Sequence, residues 1–465
     1  MTSAVQPSPV TRKRKFPAPQ RHRWFDPWLV ASGAVFGPIK AHLAAEIEAY
    51  RLDPELGKRR RRRRPQDEAS FHVILSAVVA NLAYMRLMPP ETGRLATNTR
   101  NGAGRSRRYD HPEFSTMFRH VLGALLVLDY IDRSVPQAIR GEASSIAPLP
   151  KWNDLVGDLE FTFADFFRDH AQEVVVLSRK RVGDQPWLAS RSGSRERVEY
   201  KDTGETKRLR DQMRRINAFL TTSDVAFADD GLSPPVDPNE RLLRRYYVLR
   251  PDQEEPRFDQ SGRLFGGFWL NLRSDRRRGI AINGEPTVTL DYGSMFTRLA
   301  YGFLDETPPQ GDLYAIPSLE GYRSGVKMAM NVFLFDETSK RSRWPKEMGV
   351  GVGTDDDAAV MPGGEAASYD ARLPAGWTVA KTKRAIIGKH PKLAAAWGRG
   401  LGYRLMNLES DILVMVLLDL VDQDIPAIGL HDGLMVQASK KDEAMAVMER
   451  AAIKKAGISI PVGEK

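Results

Sequence analysis

Residues 284–296 read GEPTVTLDYGSMF, and this stretch decides the fold of the second half of the chain. The β-branched and apolar run TVTL indicates a strand, and the Gly-Ser pair just beyond Asp291 indicates where the strand ends. Helical spacing from Phe296 to Leu304 then predicts a helix. The strand therefore delivers Asp291 to a turn, where an exposed carboxylate suits a divalent cation. An Asp at a strand end also commonly caps the helix that follows.

Residues 425–437, IPAIGLHDGLMVQ, hold a second carboxylate in a comparable setting. Two short apolar runs meet at His431, Asp432 and Gly433, which predicts a β-hairpin with the polar pair at its tip. An ordinary Asp-Gly turn produces the same pattern. The hairpin alone therefore does not distinguish a metal ligand from a turn residue.

Between these two segments lies GYRSGVKMAMNVFLF, residues 321–335, which predicts a helix. Arg323, Lys327, Asn331 and Phe335 recur every four residues, so they share one helical face. Cations in the first turns followed by an aromatic ring suit a triphosphate tail and a stacked base. Surface helices also carry Arg and Lys at this spacing by chance.

The three segments together specify one chemistry. Asp291 and Asp432 would hold two Mg²⁺ ions, with Mn²⁺ as an alternative, between an attacking 3′-hydroxyl and a leaving pyrophosphate. Lys327 and Arg323 would neutralise the phosphates of a nucleoside triphosphate. The residues thus predict a metal-dependent nucleotidyltransferase.

The order of a strand ending in Asp, a cationic helix and a His-Asp hairpin resembles motifs A, B and C of the family A DNA polymerases. The resemblance covers roughly residues 258–440. It implies an α+β fold, a right-hand polymerase palm built on an antiparallel sheet with helical fingers, preceded by a mainly helical N-terminal region. The expected domains are a basic, largely disordered arm (1–67), a mainly helical DNA-binding or thumb-like region (68–250), and the palm and fingers (251–465).

The resemblance also implies roles for individual residues. Residues 261–264 and 271–272 are similar to the family's TGRL…NLQ segment, in which the Arg lies along the primer–template minor groove. The implied catalytic residues are Asp291, Asp432 and Lys327, with Asp291 and Asp432 as the metal ligands. The implied nucleotide contacts are Arg323, Lys327, Asn331, Phe335, Phe296 and Tyr292, and the implied DNA contacts are Arg263, Asn271 and His431.

Three positions depart from the family pattern. Phe296 stands where family A DNA polymerases usually have Glu, and we interpret it as a steric gate that favours deoxynucleotides; packing in the palm core is the alternative. Phe335 keeps the expected ring but lacks a hydroxyl, which leaves ribonucleotide addition open. Gly433 replaces the Glu that often follows His-Asp in the family.

The charge of the chain is concentrated near its start. The 465 residues have a formal net charge of +10, and residues 1–70 hold 15 Lys and Arg against 7 Asp and Glu. A flexible basic arm attracts nucleic-acid phosphates without a precise fold, although solubilising and targeting tails have the same composition. The predicted DNA-binding run comprises Lys58, Arg59, Arg60, Arg61, Arg62, Arg63 and Arg64.

Composition excludes several other classes. The chain has no Cys, which rules out disulfides, Cys-ligated zinc and thiol catalysis. Neither a signal peptide nor an apolar run long enough for a membrane span is apparent, so a cytoplasmic protein without membrane partners is expected.

The sequence therefore predicts a template-directed DNA polymerase that extends a DNA primer–template with nucleoside triphosphates and has no proofreading domain. An RNA-synthesising polymerase or primase shares every catalytic residue, and terminal transfer is a further variant. A catalytically inactive replication initiator or DNA-binding protein belongs to a different class. Protein partners are not predicted.

Overall fold

A computed structural model describes residues 22–53, 63–97, 108–111, 114, 116–135, 142–180, 195–344, 373–374 and 376–465. Over these residues the fold is mixed α+β, with eleven α-helices and several sheets, one of them a curled antiparallel half-barrel. The chain forms two compact units, which comprise residues 1–105 with 111–169, and residues 106–110 with 170–465.

The first unit contains short strands around three longer helices. In chain order its elements are β1 (Arg23–Trp24), β2 (Leu29–Ala31), α1 (Phe36–Leu52), α2 (Pro65–Leu87), β3 (Leu95–Ala96), α3 (Thr116–Val127), β4 (Ile131–Ser134), β5 (Ser145–Pro148), α4 (Pro150–Val156) and β6 (Phe166–Arg168), with a 3₁₀ turn at Phe163–Asp165. Strands β1, β3, β5 and β4 form one sheet in that order, and β2 pairs antiparallel with β6.

Helix α1 lies inside the segment 1–67 that composition predicts as a largely disordered arm. Phe36, Ile39, Leu43 and Ile47 recur along one face of α1 and are buried. This apolar stripe buries the helix in the core of the unit. The prediction of a disordered arm rests on the basic composition of the segment, which does not reflect the apolar periodicity of α1. The region 68–250 likewise contains strands as well as helices, and the two units divide near residue 170 instead of at 250.

Helix α2 is the core of this unit. Among the helices that the structure describes, it alone is long and apolar enough to cross a membrane, and 67% of its most apolar window is buried inside the protein. Core helices satisfy the same test, so its length and composition are accounted for by its packing.

The second unit begins with β7 and ends with β16. Its strands are β7 (Val175–Lys180), β8 (Arg195–Arg197), β9 (Val225–Phe227), β10 (Leu243–Leu249), β11 (Ser261–Gly266), β12 (Ile280–Ile282), β13 (Glu285–Tyr292), β14 (Ala427–Gly429), β15 (Gly433–Gln437) and β16 (Val462–Glu464). Its helices are α5 (Gly204–Thr222), α6 (Ser274–Arg277), α7 (Met295–Phe303), α8 (Arg323–Phe335), α9 (Val379–Lys389), α10 (Gly402–Asp422) and α11 (Lys441–Ala456), with 3₁₀ turns at Phe268–Leu270, Lys392–Ala396 and Ala438–Lys440.

Two sheets organise this unit. One has the order β11-β10-β7-β8, and the other has the order β14-β15-β13-β12-β9 with β16 also paired to β13. Strand β13 is antiparallel to both β15 and β16, so Asp291 lies opposite Gly433 on one side and Gly463 on the other. The predicted strand, the hairpin and the helices after Asp291 and Tyr322 are thus confirmed as β13, β14–β15, α7 and α8.

Buried polar contacts join β10 and β11 to α10. Arg245, 1% exposed, donates to the Gly262 carbonyl and to Asp411 at 2.8 and 2.7 Å. The hydroxyl of Ser410 also donates to the Gly262 carbonyl. These contacts fix one face of α10 against the sheet, and Glu409 adjoins them on the same helix.

Candidate active site

The sheet brings Asp291 and Asp432 together from distant parts of the chain. The backbone N–H of Tyr292 donates to the carbonyl of Asp432 at 3.1 Å, and Leu430 closes the hairpin by donating to the Gly433 carbonyl at 2.8 Å. The two carboxyl groups lie within hydrogen-bonding reach of each other. The two carboxylates proposed from sequence are therefore neighbours in the fold.

Gly433 allows this close approach. A Cβ atom at this position would lie 2.2 Å from the carbonyl oxygen of Leu290 and 2.8 Å from Oδ1 of Asp291. No side chain fits there without displacing the backbone of β13. The glycine at position 433 thus has a steric reason in this chain.

The carboxyl group of Asp291 has a strongly raised pKa. Burial, reinforced by the charge of Asp432, raises the pKa of Asp291 to about 7, while Lys465 and Lys327 oppose the rise. Two carboxylates this close repel each other when both are ionised. A divalent cation would relieve that repulsion, which makes the pair a chemically suitable cation site.

Glu409 lies near enough to this pair to be affected by its charge, and it was not among the predicted site residues. It is 2% exposed, and Arg263 donates to its Oε2 from Nε at 2.9 Å. Burial raises the pKa of Glu409 to about 7; the charges of Asp432 and Asp291 add to the rise, and Arg263 opposes it. No local sequence signal marks this contact, because its two partners lie on β11 and α10.

His431 is held against the protein interior beside the pair. Its ring lies 5.7 Å from that of Phe265, and its buried Nδ1 has no hydrogen-bond partner. Burial lowers the pKa of His431 to about 4, so the imidazole is neutral at physiological pH. In this structure His431 therefore offers no positive charge to a DNA phosphate.

Helix α8 carries Arg323, Lys327, Asn331 and Phe335 at the predicted four-residue spacing, and these residues form the stripe described below. Lys327 is exposed, and its charge acts on Asp291. Arg323 forms a bidentate ion pair with Asp312, at 2.7 and 3.1 Å, over the ring of Tyr314. Asn331 is half-buried, and its Oδ1 has no partner. The first half of the stripe thus has one exposed lysine and one arginine already paired within the protein.

A buried histidine orients the segment that pairs with Arg323. His390 is fully buried, and its Nε2 lies 2.7 Å from the carbonyl of Leu313, which can only accept. Nε2 therefore carries the proton, and Nδ1 accepts from the Tyr301 hydroxyl at 2.9 Å. Burial lowers the pKa of His390, which is consistent with this neutral form.

Two aromatic rings meet at the end of the stripe. The rings of Phe296 and Phe335 stack at 5.7 Å with an interplanar angle of 11°. Phe296 is 7% exposed, whereas Phe335 is half-buried and packs against Gly402 so closely that a Cβ there would lie 2.3 Å from the ring. The predicted sugar gate and the predicted base-stacking residue are thus in direct contact.

Of three further residues predicted to contact the nucleotide or the DNA, two are buried within the protein and one is exposed. Tyr292 is buried, and its hydroxyl donates to the carbonyl of Met448 at 2.6 Å, because neighbouring side chains of a strand point to opposite faces. Arg263 is 3% exposed and bound to Glu409, so it contacts protein and not solvent. Asn271 is exposed after the 3₁₀ turn at Phe268–Leu270.

The basic run is only partly described. Its first five members, Lys58 to Arg62, lie outside the described residues. Arg63 is paired with Glu48 at 2.9 Å and Glu68 at 3.2 Å and lies over the ring of Phe71, while Arg64 precedes α2 as its N-cap. Arg63 therefore has a structural role in the first unit.

Within the described ranges, no group of three or more His, Asp or Glu side chains is arranged to hold a metal ion. A pair of carboxylates nevertheless fits Mg²⁺, which proteins commonly bind through one or two carboxylates together with substrate phosphates. No protein-family model matches this chain, and no curated protein matches it.

Proposed function

We propose that the chain is a template-directed nucleotidyltransferase that adds deoxynucleotides to a DNA primer, with the sheet of β13, β14 and β15 as its palm and α8 as the fingers helix. The observation that carries this proposal is the adjacency of Asp291 and Asp432 on paired strands, with the pKa of Asp291 raised to about 7. A carboxylate whose pKa is strongly raised by burial and by a specific charged neighbour is a candidate functional group.

Asp291 and Asp432 would hold Mg²⁺ or Mn²⁺ at the ends of β13 and β14. When bound, these ions would activate the primer 3′-hydroxyl and stabilise the charge of the leaving pyrophosphate. Gly433 keeps the two carboxylates close, and the buried ion pair of Arg263 with Glu409 lies near them. The geometry of the pair is thus fixed by the fold before any substrate binds, which reduces the cost of organising the reaction.

Helix α8 would bind the incoming nucleoside triphosphate. Lys327 is exposed and near enough to affect the pKa of Asp291, so it is suited to the phosphates closest to the carboxylates. Arg323 would exchange Asp312 for a phosphate, since a carboxylate and a phosphate each accept two parallel hydrogen bonds from a guanidinium. The stacked rings of Phe296 and Phe335 would meet the sugar and the base, and Phe296 would disfavour a 2′-hydroxyl.

The test is extension of a labelled DNA primer on a DNA template with Mg²⁺, with dNTPs and NTPs offered separately. We expect template-directed dNTP addition, reduced by about 10³-fold or more in Asp291→Asn and in Asp432→Asn. Asp419→Asn, which alters a carboxylate elsewhere on α10, should extend normally.

Each other outcome has a definite meaning. Extension with NTPs alone would move the chain to the RNA-synthesising class, and extension without a template would make it a terminal transferase. If the wild-type chain binds the primer–template yet adds no nucleotide of either kind, the chain is a binding protein and the proposal is wrong.

A further inference from the structure

Strand β16 brings the end of the sequence to the carboxylate pair. Gly463 lies opposite Asp291 and Glu464 opposite Leu290, and the backbone N–H of Lys465 donates to the carbonyl of Thr289 at 3.0 Å. Lys441 of α11 forms an ion pair with Glu464. These contacts fix the backbone at residue 465 beside β13.

The side chain of Lys465 turns towards Asp291. Its Nζ lies 3.9 Å from Oδ2 of Asp291, and the lysine side chain is 67% exposed. Lys327 acts on the same carboxylate from α8, so two ammonium groups from separate elements converge on it. No motif in the sequence marks Lys465, because the strand pairing alone brings it here.

The ion pair between Lys465 and Asp291 is weak enough for Lys465 to leave Asp291 and bind a phosphate instead. An ion pair at this distance, with the lysine largely in solvent, contributes little stability. A divalent cation at the carboxylates would repel the ammonium group by like charge. Because the lysine stem is flexible and its ammonium binds phosphates as a point charge, the nearest phosphate oxygens would then become its partner.

We propose that Lys465 is a positioning residue for the polyphosphate of the substrate, binding the terminal phosphates of the nucleoside triphosphate and the pyrophosphate that leaves. This inference rests on the proposed function, and it adds a phosphate ligand that comes from the sheet and not from the fingers helix. The site would then hold the polyphosphate from two directions, with Lys327 on α8 and Lys465 beside β13.

The test compares Lys465→Met, Lys465→Arg and the control Lys454→Met, which removes the same charge from an exposed position on α11. In steady-state primer extension, Lys465→Met should raise KM for the dNTP about tenfold. This is the loss of affinity expected when one charge-assisted hydrogen bond is removed. Its kcat and its KM for the primer–template should stay within about twofold of wild type. Lys465→Arg should restore the KM for the dNTP.

A second measurement does not depend on turnover. Calorimetric titration of the wild-type chain with pyrophosphate and Mg²⁺ should give a Kd that rises about tenfold in Lys465→Met and is unchanged in Lys454→Met. A wild-type chain that binds pyrophosphate through Lys465 but never extends a primer would disprove the proposed function and leave this inference standing. Equal pyrophosphate affinity and equal KM in wild type and Lys465→Met would overturn it.

Discussion

Gly433 controls how closely the two carboxylates approach, and its substitution tests that geometry. In Gly433→Ala the new methyl group would meet the carbonyl of Leu290 at 2.2 Å, so β13 and β15 must separate. We expect a loss of about 1–3 kcal/mol in the free energy of unfolding, as for other overpacked sites, together with loss of primer extension. Urea denaturation and the extension assay measure the two effects.

The opposite strand supplies the matched control. Gly463 faces Asp291 from β16, and a Cβ there would meet no heavy atom within 4 Å. Gly463→Ala should change stability by less than about 0.5 kcal/mol and leave extension intact. Equal behaviour of the two variants would mean that the spacing of β13 and β15 does not govern the site.

At the scale of single residues, a site residue can be predicted from sequence when the residues next to it predict its local structure. Asp291 and Asp432 each follow an apolar run and precede a turn, so both could be proposed before the fold was known. The resemblance implies a nucleotide contact for Tyr292, yet strand alternation directs its side chain to the core. Lys465 could not be proposed, since only the pairing of β16 with β13 brings it close.

At the scale of elements, a buried ion pair joins β11 to α10. Removal of Arg263 would leave Glu409 without its partner in the core and would raise the pKa of Glu409 further, because Arg263 lowers it. We expect Arg263→Met to cost about 3–5 kcal/mol in the free energy of unfolding at pH 8. The cost should be smaller at pH 5, because Glu409 is then protonated in both folded chains and its attraction to Arg263 is already lost in the wild type. Urea denaturation at the two pH values measures both effects.

The double variant Arg263→Met with Glu409→Leu serves as the control, since it removes both charges. It should recover most of the lost stability, because a buried pair replaced by apolar residues is often neutral. If the single variant costs less than about 1 kcal/mol, or if the double variant is no more stable than the single, then this pair does not fasten β11 to α10.

The elements themselves were predictable where their periodicity is strong. The apolar spacing of α2 and α8, and the β-branched run of β13, are local properties of the sequence. The prediction of a disordered arm over residues 1–67 rests on the net positive charge of that segment. It does not take into account the buried apolar face of α1, which lies in the same segment. Short strands such as β1 and β3 have two residues each, too few for any periodic pattern.

At the scale of the molecule, the candidate site exists only in the folded second unit. Its parts come from β11, β13, α8, α10, the β14–β15 hairpin and β16, which are scattered over some two hundred residues of the chain. The sequence predicted the order of the principal parts, but their contacts depend on sheet order. Binding of a cation to the assembled site should therefore stabilise the folded state.

The central claim is that Asp291 and Asp432 together hold a divalent cation, and Mn²⁺ binding followed by electron paramagnetic resonance tests it most directly. We predict that the wild-type chain binds Mn²⁺, with an affinity that falls as the pH drops below about 7, because the cation must displace the proton that Asp291 then carries. Asp291→Asn and Asp432→Asn should lose this binding and Asp419→Asn should keep it. Mn²⁺ affinity that is unchanged in both site variants, or absent from the wild-type chain at pH 8 with a nucleoside triphosphate present, would contradict the claim.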